Sequence, residues 1–188
     1  MGFKTDKDYL AYRRSITDFL RREVEPHVAG MEETSHIPID VLFPKFRAQG
    51  LFGLIIPEEY GGMGLNTVQY LPILAELSKF SGAIRALLHV HLTSARAIVC
   101  YGREEQKREL LPKMATGESS LAFCMTEANS GSGLDCKTNA FRRGDDYILN
   151  GEKHLITNAD FTDLFMVACF TAPKDSGRQA MSALIVDR

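Results

Sequence analysis

The sequence predicts an α+β chain of more than one domain, an all-α N-terminal domain followed by an antiparallel, β-barrel-like domain. Three observations carry this. Apolar residues recur at spacings of three and four up to about residue 118, and beyond it they fall in strand-length runs broken by Gly, Asn, Asp and Pro. Helices come first and strands second without alternation, which favours segregated domains over a doubly wound sheet. The 188 residues, 45% of them hydrophobic, are enough to bury a substantial core. The domains are therefore set at 1–118 and 119–188.

In the helical part, Tyr9, Tyr12, Ile16, Phe19, Leu20 and Val24 form one stripe from Asp8 onward, which Pro26 and Gly30 weaken. Asp40 is a fair N-cap for a short helix to about Gln49, with Pro44 tolerable only near its first turn. Leu51–Leu65 has no helical period, and Pro57 with Gly61-Gly62 marks a turn-rich connection. Asn66 or Thr67 caps a helix towards Phe80. A long apolar helix follows from about Ala83 to Tyr101, with Gly102 as its stop. Arg103–Glu118 is a charged surface helix. Five strand-length runs complete the chain: LAFCMTE, KTNAFRRG, DYILNGEKHLIT, DLFMVACFTA and AMSALIVDR. Asn150-Gly151 predicts a two-residue hairpin folding YIL back against KHLIT. The run ending in ALIVDR leaves an open edge that further chain or a partner is expected to cover.

Composition narrows the function. A net charge of -2 with no basic face leaves no electrostatic footprint for nucleic acid. Cys100, Cys124, Cys136 and Cys169 are scattered, with neither a CxxC pair nor a His at zinc-ligand spacing, so no metal is expected. Buried, reduced thiols suit the cytoplasm or another reducing compartment. No signal core opens the chain, and no run reads as a membrane span.

Two segments carry the chemistry: Leu121–Gly133 and Leu149–Asn158. Thr126 ends the apolar run Ala122–Met125, so a hydroxyl and backbone N–H groups meet at a strand end, where they can bond the edge of a planar ring. The loop Asn129-Ser130-Gly131-Ser132-Gly133 can turn consecutive N–H groups inward as a nest for an anion such as pyrophosphate. Beyond the expected hairpin, strand alternation puts Leu155 and Thr157 on one face and Ile156 on the other. Each feature alone has a plain structural explanation, and only their combination points to a cofactor. His89 and His91 lie two residues apart on a helix and share no face, so packing is the better reading, with an acyl pocket as the alternative.

In order and spacing, PEEYGGMGL, YGREEQKRELLPKMATGE, AFCMTEANSGS and YILNGEKHLITN resemble the acyl-CoA dehydrogenase family. The resemblance covers essentially the whole chain. It implies the family's N-terminal helical domain and much of its central β domain, with no counterpart here to its C-terminal four-helix bundle. It implies FAD as cofactor, with Phe123, Met125 and Thr126 against the isoalloxazine, Leu155 packing nearby and Thr157 on the N5 side. Ser132 would approach the pyrophosphate, with Gly131 making room. It also implies an acyl thioester of CoA or acyl carrier protein as substrate, passing close to Ser132 and the helix Ala83–Tyr101. An acceptor such as an electron-transfer flavoprotein and a homo-oligomer belong to the same implication.

This sequence departs from the family pattern at several places. Leu155 stands where the family has Trp, Ala128 where it has Pro and Gly133 where it has Asp, and the stretch that follows is one residue short. Loss of an indole removes about 1–3 kcal/mol of packing beside a flavin. The resemblance implies α,β-desaturation, with an α proton taken by a carboxylate and a hydride passed to flavin. In the family that base lies in the C-terminal bundle. No catalytic residue is therefore assigned here, and the 188 residues alone are expected not to turn over. Glu127, next to Thr126, is expected to face away from the ring and hold the loop. Two alternatives stand beside this reading: a flavin oxidase or monooxygenase on the same scaffold, and a shortened non-catalytic paralogue serving as a binding or assembly module.

Overall fold

A computed structural model describes residues 5–130, 135–173 and 180–188. They form two compact units, Met1–Ser119 and Ser120–Arg188. The first is helical. Helix α1, Asp6–Phe19, is capped by the Thr5 side chain and runs through a π-helical turn, Leu20–Val24, into α2, Glu25–Thr34. Pro26 thus does not end the helical run as its chemistry suggests. It falls in the first turn of α2, and the wider turn before it absorbs the missing N–H.

Helix α3, Ile39–Ala48, begins one residue earlier than Asp40 and carries Pro44 inside it. Leu42 and Phe46 hold α3 in place by full burial, an instance of packing overriding a local breaker. Helix α4, Thr67–Phe80, opens with a capping box between Asn66 and Gln69. Helix α5, Gly82–Tyr101, and helix α6, Glu104–Thr116, complete the unit.

Contrary to the sequence expectation, α5 is long and apolar enough, at twenty residues and a mean hydropathy of 1.2, to cross a membrane by length and composition. Its apolar content is used in the core: Ile84, Leu87, Leu88, Leu92, Ala95 and Ile98 are all buried there. His91 lies among them with no exposure, its Nε2 3.2 Å from the Met114 carbonyl and its ring edge-on to Phe52 at 5.2 Å. His91 is therefore a core residue. His89 instead points to Tyr70, with Nδ1 2.8 Å from the phenol oxygen.

The second unit is one five-stranded sheet, neither closed nor purely antiparallel as the sequence suggested. Strands β1 (Leu121–Cys124), β2 (Asn139–Arg143), β3 (Asp146–Asn150), β4 (Leu164–Phe170) and β5 (Met181–Asp187) take the order β1-β4-β2-β3, with β5 also on β4. β4 pairs in parallel with β1 and, at Asn139↔Phe170, with β2, and antiparallel along its length with β5. The parallel register is fixed at the strand starts, where Ser120 N–H donates to Asp163 and Leu164 N–H donates back to the Ser120 carbonyl. A chain that leaves β1 and returns as β4 only after a whole hairpin can pair in parallel, which short hairpin links forbid. The continuous apolar run of β4 is that of a strand covered on both faces.

The hairpin itself is not at Asn150-Gly151. It joins β2 to β3 through Gly144-Asp145, with Arg143 opposite Asp146 and Gly144 at φ +64°. RRGDDY carries a Gly-Asp turn signal of its own. Among the described residues β5 pairs only with β4, leaving its other edge open.

Burial holds the His91 imidazole neutral and lowers its pKa to about 4, against 6.5 for an ordinary histidine. The unfolded chain therefore binds more protons between these values, and the helical unit loses stability as pH falls from 6.5 towards 4. The expected loss is on the order of 3 kcal/mol by pH 4. Urea melts at pH 7 and pH 5 should show it, and His91→Gln should flatten the slope while lowering stability at pH 7.

Candidate active site

The two segments singled out in sequence come together in the β unit, by a different construction from the one expected. β1 ends at Cys124, so Thr126 lies two residues past the strand, half-buried. Residues 151–157 form no strand. Leu155 takes a left-handed φ of +53° and is 83% exposed, and Thr157 lies exposed in a turn, so the alternation assigned to Leu155, Ile156 and Thr157 does not apply. Backbone bonding replaces strand pairing: His154 N–H donates to the Thr126 carbonyl at 2.8 Å.

Lys153 completes the junction. Its ammonium, on a side chain only 9% exposed, donates to the Met125 carbonyl at 3.0 Å and to Glu127 Oε1 at 3.1 Å. Glu127 in turn accepts from Lys137 N–H at 2.6 Å, from Thr138 N–H at 2.8 Å and from the Thr138 hydroxyl. One carboxylate thus ties together the end of β1, the approach to β2 and the segment after β3. Burial pushes its pKa up, but the Thr138 hydroxyl, the two N–H groups and Lys153 together outweigh that and hold it at about 2. Such a carboxylate is saturated with donors and is no general base.

Gly151 is part of the same construction. At φ +153° it passes so close to Thr138 that a Cβ would overlap the Thr138 hydroxyl and lie 2.7 Å from its Cα. The Asn-Gly pair marks a close approach between segments here, not a turn.

Phe123 is 38% exposed and Met125 half-buried, so apolar surface borders Thr126. Among the described residues the Thr126 N–H has no partner. Gly131 and Ser132, assigned to the pyrophosphate by resemblance, lie outside the described residues, as does Gly133. Sequence reasoning missed Lys153, which stands in the polar stretch Gly151-Glu152-Lys153-His154 and carries no local signal of what it faces.

The helical unit has a recess of its own, about 500 Å³, lined by Ile55, Leu65, Tyr70, Leu71, Thr93 and Arg96 among others. Burial raises the Tyr70 phenol to about 12 and lowers the pKa of its partner His89, so both are neutral near pH 7.

Residues 6–118 match the family model of the acyl-CoA dehydrogenase N-terminal domain, and residues 122–188 match that of the middle domain. The chain belongs to the acyl-CoA dehydrogenase family. It is 36% identical over 184 residues to an acyl-CoA dehydrogenase of Bacillus subtilis, covering 97% of this chain and 48% of that protein. It is similar to a chain solved in work on the electron transferring flavoprotein of Acidaminococcus fermentans and flavin-based electron bifurcation. There the TM-score is 0.89 and the identity 33%, covering 100% of this chain and 50% of that one. It is also similar to a glutaryl-CoA dehydrogenase of Mycobacterium smegmatis in complex with FADH2, with a TM-score of 0.87 and 30% identity over 97% of this chain and 46% of that one. The chain spans about half the length of the curated relatives it matches.

Glu127 has its ordinary pKa of 4.5 when unfolded and about 2 when folded. Its contribution to stability is therefore complete above pH 4.5 and is lost as pH falls towards 2. The protection of the Lys137 and Thr138 amides relative to the unfolded chain should fall across that window, and Glu127→Gln should show reduced protection at pH 7 already. Gly151→Ala should lower the melting temperature of the β unit by several degrees, through the clash with Thr138 and the strained φ.

Proposed function

We propose that this chain supplies the flavin-cradling part of a dehydrogenase that desaturates an acyl thioester, of CoA or of acyl carrier protein, at its α,β bond. One observation carries the reading. Lys153 and His154 dock the segment bearing Leu155 and Thr157 onto the end of β1, beside the Thr126 N–H, which is unpaired among the described residues, and beside exposed apolar side chains. Exposed apolar surface next to free donors fits a flat ring with a polar edge, so the residues present suit FAD. Phe123, Met125, Thr126, Leu155 and Thr157 would hold the ring system, and Gly131 and Ser132 the pyrophosphate. When bound, FAD would accept the electron pair removed from the acyl group.

This chain's own contribution is to bind, orient and exclude water. Thr126 offers a hydroxyl and an N–H to the ring edge, and Thr157 offers a second hydroxyl. Leu155 presents an aliphatic side chain where the family presents an indole, which leaves a smaller wall. Glu127 keeps the two segments in register and takes no proton. The recess beside α4 and α5, apolar with Thr93 and Arg96 at its lining, suits an acyl chain. An electron-transfer flavoprotein as acceptor and a homo-oligomeric assembly agree with the family and with the open edge of β5.

Fluorescence titration of FAD with the purified chain tests this. Quenching that saturates is the expected result, and Thr126→Val should weaken binding about fivefold, the equivalent of one hydrogen bond. Absence of any binding at concentrations up to those that saturate flavoproteins would contradict the reading.

A further inference from the structure

Lys153 makes two contacts of different kinds. One is its ion pair with Glu127, 3.1 Å, which serves structure. The other is its 3.0 Å hydrogen bond to the Met125 carbonyl, which docks the segment together with the His154 N–H bond to Thr126 and also places a positive charge on that carbonyl. The Met125 carbonyl and the Thr126 N–H are the two ends of one peptide group. Resonance in that group passes electron density from nitrogen to oxygen, so an ammonium held on the oxygen makes the N–H a stronger donor.

That N–H is unpartnered among the described residues and belongs to the residue assigned to the flavin edge. The charge on Lys153 is also well directed. Glu127 spreads its own negative charge over three further donors, from Lys137 and Thr138. The other titratable groups that sense Lys153 are the buried thiols Cys124 and Cys169, whose pKa values burial raises, so both are neutral.

We propose that Lys153 biases the bound flavin towards its reduced state by polarising the Met125–Thr126 peptide. The inference rests on the flavin reading above. An oxidised flavin ring is neutral and gains little from a stronger donor. A reduced flavin carries negative charge on its pyrimidine edge at neutral pH, and a charge-assisted bond there favours that state. Lys153 touches no ring atom in this scheme and acts as a positioning residue through Thr126.

The test compares dissociation constants for oxidised FAD and for dithionite-reduced FAD, under argon, with the whole chain and its variants. Lys153→Met is expected to lower the preference for reduced over oxidised FAD at least tenfold, which corresponds to about 30 mV in a two-electron potential. Lys153→Arg, which keeps the charge and a donor, is expected to restore most of that preference. Should Lys153→Met misfold because Glu127 is left unpaired, the double variant Glu127→Gln/Lys153→Met removes both charges, and it is expected to show the same loss. An unchanged ratio in a folded variant that still binds FAD would overturn the inference while leaving the flavin reading intact. Failure of the unaltered chain to bind either form would overturn both.

Discussion

The β unit depends on one buried ion pair. Taking Glu127 and Lys153 out of water is costly, and a bare pair would not recover that cost. Here the carboxylate also accepts from Lys137, from the Thr138 N–H and from the Thr138 hydroxyl, while the ammonium finds the Met125 carbonyl. Three stretches of chain distant in sequence converge on these atoms. None of them is in regular secondary structure at that point, so hydrogen bonding to the pair does the work that strand ladders do elsewhere in the sheet. The proposed cofactor cradle rests on that junction.

The sheet supplies the platform. β4 is covered on both sides by partners, and its register with β1 is fixed by Ser120 and Asp163, which sets where Cys124 ends and Met125 emerges. Far from this end, Arg188 ties the end of β5 to the segment before β4 by donating to the carbonyls of Thr162 and Ala159 and resting its guanidinium over Phe165. Rigid strands thus aim irregular loops, the usual division of labour between scaffold and site. The helical unit follows the same logic with different parts. The buried face of α5 carries the core, and its opposite side borders the recess near Thr93 and Arg96.

Much of this was legible in the chain. Patterning found the five strands and the helices other than α2, because stripes at helical spacing and short apolar runs are direct records of burial, though it also read KHLIT as a strand. Asn66 was one of two candidate caps and proved to be the N-cap of α4, and Gly102 marked a stop. The errors have a common cause in tertiary contacts that local patterns do not encode. Pro26 and Pro44 looked like breakers, yet a π turn and the burial of Phe46 accommodate them. Asn150-Gly151 has the composition of a hairpin, but its glycine is there for contact with Thr138, and the real turn lies at Gly144. Parallel pairing of β1 with β4 leaves no short-range signature at all. The motif residues near Thr126 and Thr157 were found together, whereas the lysine that joins them was not, since a single Lys says nothing of what it faces.

The central claim is that residues 123–127 and 154–158 form one cofactor surface. Amide hydrogen exchange on the whole chain, with and without saturating FAD, tests it most directly. The account predicts slower exchange on binding in both segments at once, the Thr126 amide included. Protection confined to other parts of the chain, or to one segment without the other, would contradict it.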